Sequence, residues 1–104
     1  MANRLEIAAT TAAVATQIPV VCYDMDKVIF ATSNNALATT ETFSFWITNS
    51  SGGWTPVYNA AGTQQQLTAS IQSVELEGGM LYGVTKSTTA AAVGLDSNSK
   101  SRQM

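Results

Sequence analysis

ETFSFWITNSSGGWTPVYNAAGTQQQL, residues 41–67, is the stretch on which the fold turns. Phe43, Phe45 and Ile47 alternate with Ser44, Trp46 and Thr48. Successive side chains of a strand point to opposite faces, so this alternation predicts a strand with one apolar face. Asn49-Ser50-Ser51-Gly52-Gly53 follows. Its glycines tolerate positive φ, and its asparagine and serines bond nearby backbone, so a tight turn is expected there. An extended run restarts at 54–58, a second turn falls at 60–63, and a third strand covers 64–68. The stretch reads as a β-meander.

The same logic extends outward. Residues 20–23 and 27–32 are short apolar strands around a bend at Asp24-Met25-Asp26, and Ser33-Asn34-Asn35 is turn-like. Leu37 is expected to plug the core from a loop. In 73–77, Val74 and Leu76 share one face, with Glu75 and Glu77 on the other. Gly78-Gly79 is a hairpin signal. Residues 80–86 form the next strand, in which Gly83 suits a bulge or the close approach of a neighbouring aromatic. Residues 91–95 form the last strand, with Val93 and Leu95 inward. Leu5 and Ile7 alternate with polar neighbours, as in a short edge strand. Residues 8–16 are alanine- and threonine-rich without a convincing period, and read as an arm or loop with a short helix as the alternative. Pro19 is expected to start a strand. These features predict an all-β chain folded as an antiparallel β-sandwich, immunoglobulin-like or jelly-roll-like. The sandwich is expected over 18–96, with an extended N-terminal arm at 1–17 and a polar C-terminal tail at 97–104.

With 104 residues the chain is one domain. Only 12% of its residues are charged and the net charge is −2, against about 25% charged in an average soluble domain. Five scattered Lys and Arg residues make no basic stripe, which argues against a nucleic-acid partner. A surface of hydroxyls and amides fits packing against other protein. No apolar run approaches the roughly 18–20 residues that cross a bilayer, so no membrane partner is expected. Arg4 and the alanines after it faintly resemble a secretory leader. Glu6, the threonines and Gln17 interrupt that pattern, so a chain made in the cytoplasm and left unprocessed is expected.

Candidate chemistry is thin. Cys22 is the sole cysteine and the chain has no histidine. It therefore reads as a small buried hydrophobe and not as a nucleophile. Asp24 and Asp26 lack the wrapping loop of a calcium site. Glu75 and Glu77 read as the wet side of a sheet that discourages edge pairing. Asn49-Ser50-Ser51 matches a glycosylation acceptor but reads as a surface turn. Trp46, Trp54, Tyr58 and Tyr82 could form an aromatic platform, yet packing accounts for most of them, and Trp54 is expected in the core. Strict alternation leaves Trp46 on the outside, making it the candidate interface residue. No catalytic residue, metal ligand or cofactor is expected.

FWITNSSGGWTPVYNAAGTQQQLT, followed by VELEGGMLYGVTKSTTAAAVGL, resembles small structural proteins of tailed bacteriophages. The likeness rests on Gly53-Trp54, Val57-Tyr58, Gly62, Gln66-Leu67-Thr68, Tyr82-Gly83-Val84-Thr85-Lys86 and Ala92-Val93-Gly94-Leu95. It covers roughly residues 28–95. It implies a β-sandwich virion component, without enzymatic activity, of the capsid decoration (cement) or head-fibre type. A decoration protein would sit on the outer surface of the head. Its partners would be the major capsid protein and copies of itself in a homo-oligomer such as a trimer. The alternative is a tail-fibre or tail-associated module that attaches to the tail or binds a host receptor glycan.

Overall fold

A computed structural model describes residues 2–21, 26–32, 36–76 and 81–101. Among them are nine strands and no helix. They are β1 (Ala2–Thr10), β2 (Val14–Val21), β3 (Asp26–Thr32), β4 (Phe43–Thr48), β5 (Trp54–Pro56), β6 (Gln66–Leu67), β7 (Ser73–Leu76), β8 (Leu81–Lys86) and β9 (Val93–Ser101). The strands form two antiparallel sheets packed as a β-sandwich. The first sheet has the order β1-β9-β3-β7. The second has β2-β8-β4-β5, with β6 also paired to β4. Apart from the β4–β5–β6 run, each connection carries the chain from one sheet to the other.

Alternation sets the inner faces. Phe45 pairs with Val84, Ile47 with Tyr82, and Val20 with Tyr82. Phe43, Phe45, Leu67, Val84, Val93 and Leu95 are fully buried. Ile7, Val74, Leu76, Val93 and Leu95 come from the first sheet, and Leu37 enters from a loop as expected. Each large side chain so buried contributes about 1.5–3 kcal/mol relative to exposure.

The strand opposite β4 is broken by an inserted hairpin, and Phe45 holds the break together. β5 pairs with Trp46, Ile47 and Thr48, and β6 with Phe43 and Ser44. Between them, Val57 N–H donates to Phe45 O and Phe45 N–H donates to Gln65 O, both at 3.1 Å. The excursion 58–64 closes on itself through a bridge between Tyr58 and Gln64.

Its tip repeats the turn after β4. In each turn an asparagine Oδ1 accepts the N–H groups two and four residues on. Asn49 takes Ser51 and Gly53, and Asn59 takes Ala61 and Thr63, at 3.0–3.1 Å. In each, the glycine three residues after the asparagine has positive φ, 82° at Gly52 and 83° at Gly62. That region is costly for a residue with a Cβ. Asn49 Nδ2 also donates to Thr55 Oγ1, so the amide of the glycosylation-like triplet is engaged within the fold.

The ends of the chain differ from expectation. The boundary at 17/18 falls inside β2, and residues 2–10 form an edge strand paired along β9. The boundary at 96/97 falls inside β9, which lies between β1 and β3 through Ser101. An arm and a tail were expected because neither end shows a sustained apolar alternation, and alanine and serine carry little strand signal. Backbone pairing on both sides of β9 supplies what its side chains do not. Ser97 is fully buried, with its hydroxyl on the Glu6 carboxylate. Pro19 sits within β2, not at its start. That strand is at a sheet edge, where a missing N–H is tolerated. Cys22, Asp24, Ser33-Asn34-Asn35, Glu77 and Gly78-Gly79 lie outside the described residues.

Candidate functional site

Two surfaces stand out. The first is the outer face of the second sheet. Residues out of phase with the core on its strands are Gln17 and Pro19 on β2, and Leu81, Gly83 and Thr85 on β8. They continue with Ser44, Trp46 and Thr48 on β4, and Trp54, Pro56 and Gln66 on the split strand. None carries a charge.

Trp46 is where alternation puts it, facing outward, but it is half-buried, not open. Its Nε1 donates to Thr85 Oγ1 at 3.0 Å, which leans the indole from β4 toward β8. Trp54 corrects the expectation of a core position. It pairs with Thr48, so it faces outward with Trp46. An ideal Cβ on Gly83 would fall 2.9 Å from Trp54 Cζ3 and 2.8 Å from Gln17 Cβ. Trp54 thus reaches from β5 over β4 to β8, two interstrand spacings or about 9.5 Å. An indole can cover that span only by lying across β4. Gly83 therefore serves the role expected of it, leaving room for an aromatic. Tyr82 is a core residue and Tyr58 is 60% exposed on the inserted hairpin, so the expected quartet splits.

The second surface is one end of the sandwich, where the loops 11–13, 36–42, 68–72 and 87–92 meet. Its centre is a buried polar knot. Glu41 accepts from Ala38 N–H and Ala90 N–H, both at 2.8 Å. Lys86, 4% exposed, donates through Nζ to Ala12 O, Ser87 O and Thr89 Oγ1 at 3.0–3.1 Å. Thr89 N–H donates to Thr11 O, and Ser87 N–H to Thr42 O. The two backbone N–H groups, aided by the Lys86 ammonium, hold the Glu41 carboxyl below its ordinary range. Burial pushes the Lys86 ammonium down, against the pull of Glu41. The knot fixes loops that present small uncharged residues, including Ala12, Ala38, Thr39 and Ala91. The neighbouring 68–72 loop, closed on its own Thr68–Ile71 bonds, adds Ile71 at 48% exposure.

Sequence reasoning missed this knot, although a signal was present. Lys86 is in phase with the inward residues Val84 and Tyr82, and a charge at an inward strand position needs partners. Glu75 is exposed on β7 at the edge of the first sheet, as expected of a wet-side carboxylate. Among the described residues no group of three or more His, Cys, Asp or Glu could hold a metal ion. The chain matches no family model, and neither curated proteins nor solved structures yield a match.

Proposed function

We propose that this protein is a structural component of a tailed-bacteriophage virion, a decoration protein bound to the outer surface of the head, and that its sandwich is of the jelly-roll type. The strand order carries this reading. With β5 and β6 counted as one interrupted strand, the sheets run β1-β9-β3-β7 and β2-β8-β4-β5/β6. Eight strands in this order are what two Greek keys give when rolled into facing sheets, and viral shell proteins are a principal use of that roll. The likeness in sequence to small phage structural proteins points the same way.

In this reading the chain binds and does no chemistry. The knotted end is the attachment surface to the major capsid protein and to copies of itself. Its loops are fixed before contact, so little ordering entropy is lost on docking. The absence of exposed charge on these loops, with Ile71 open among them, suits the charge-poor centre of a protein interface.

The test is co-sedimentation of the purified protein with heads that lack it, together with its copy number in intact virions. Saturable binding and copies in the hundreds are expected. A protein that ignores heads, or is present in a few copies at the tail, contradicts the reading.

A further inference from the structure

We propose that the outer face of the second sheet is a binding site for a neutral oligosaccharide, with the Trp54 indole as its platform. This goes beyond attachment to a head, and it uses a different surface.

The argument is one of chemistry. Trp54 lies across β4 with its edge over Gly83, and Trp46 stands beside it on the same face. A half-buried indole laid along a sheet offers its remaining surface outward, and the C–H face of a pyranose ring packs on such a surface. Hydroxyls and amides flank the rings. Thr85 Oγ1 accepts from Trp46 Nε1, and Ser44 Oγ accepts from Gln66 Nε2 at 2.9 Å. Each hydroxyl therefore keeps its own hydrogen to donate, and no described residue accepts it. Gln17 borders Trp54 at Gly83, and Thr48 pairs beside it.

Absence of charge selects the ligand. Nucleic acid, phosphorylated lipid and acidic glycan all call for Lys or Arg, and no outward position named on this face has one. Protein hot spots combine tryptophan with arginine and tyrosine, and both are missing from those positions. A polymer of uncharged hydroxyls with apolar ring faces fits what is present.

The experiment titrates the full chain by calorimetry with cellohexaose, chitohexaose and maltoheptaose, with dextran sulfate as the anionic comparison. At least one neutral oligosaccharide is expected to bind saturably and independently of salt, and dextran sulfate is not. Trp54→Ala is expected to weaken binding about tenfold or more, and Trp54→Tyr to restore most of it. Gly83→Ala, which displaces the ring without deleting it, and Gln17→Ala are expected to weaken binding while heads are still bound. No binding by any neutral oligosaccharide overturns the proposal. So does binding that Trp54→Ala leaves unchanged. Loss of head binding in folded Trp54→Tyr or Gln17→Ala overturns it as well, by making the face a polypeptide contact. Failure of the wild-type protein to bind heads bears on the decoration reading alone.

Discussion

Lys86 Nζ donates to Thr89 Oγ1 at 3.0 Å in the interior of the sandwich, where neither residue is more than 4% exposed. Thr89 passes the connection on, donating to Ala91 O and lying within reach of Thr10 O. One ammonium thus ties the β1–β2 turn to the loop between β8 and β9.

Replacing Lys86 with methionine keeps an unbranched side chain one atom shorter but leaves Ala12 O, Ser87 O and Thr89 Oγ1 without this donor. Unsatisfied buried acceptors cost about 1–3 kcal/mol. Urea denaturation of Lys86→Met is expected to show a loss of that size, with an unchanged m-value.

The knot also sets a pH response. The folded pKa of Glu41 lies below its ordinary 4.5. Between the folded and ordinary values the unfolded chain binds more protons, so stability is present above 4.5 and falls as acid titrates the folded carboxylate. Glu41→Gln is expected to flatten this acid limb of the stability curve.

At the alkaline end the slope has the same sign, because the unfolded lysine again holds its proton longer. The folded pKa of Lys86 lies below its ordinary 10.5, so the folded state sheds its proton first. Stability rises from the folded value up to 10.5, a rise that Lys86→Met removes. Thermal melts across both limbs read these slopes.

Gly52 and Gly62 isolate backbone conformation from packing. An added Cβ meets nothing within 4 Å at either site. Gly62→Ala is expected to cost about 1–2 kcal/mol from positive φ alone, and Gly62→Asn less. Equal penalties at Gly52 would show that the two turns are energetic as well as geometric copies.

Gly94 is the stricter glycine. A Cβ there would lie 2.5 Å from Ile7 O and 2.8 Å from Ala9 N. These are backbone atoms of β1, where the register shifts between Ile7 and Thr10. At Gly83 the obstacles are side chains, which can move. Gly83→Ala is expected to cost about 1–3 kcal/mol and Gly94→Ala more, measured as denaturation midpoints.

The sheets were legible where alternation and turn chemistry agreed. Phe43 and Phe45, Val74 and Leu76, and Val93 and Leu95 were each placed inward by period alone. β9 beyond Leu95 was not legible, because a strand paired on both sides can be held by backbone bonds under a polar sequence. The stretch from Ala8 to Thr16 was equally mute, since alanine and threonine fit loop and strand alike. Trp54 failed for another reason. Its face depends on register carried through β4, and nothing local to 49–58 reports that register.

The excursion at 58–64 leaves β5 and β6 in step because Phe45 pins both of its ends. Gln64 Nε2 also donates to Phe45 O, while the tip at 59–63 makes its hydrogen bonds within the excursion, so residues added between Ala60 and Ala61 are expected to leave the strands in place. A foreign epitope grafted there would ride outward on an unaltered scaffold. On a shell bearing many copies, it would be displayed as a regular array.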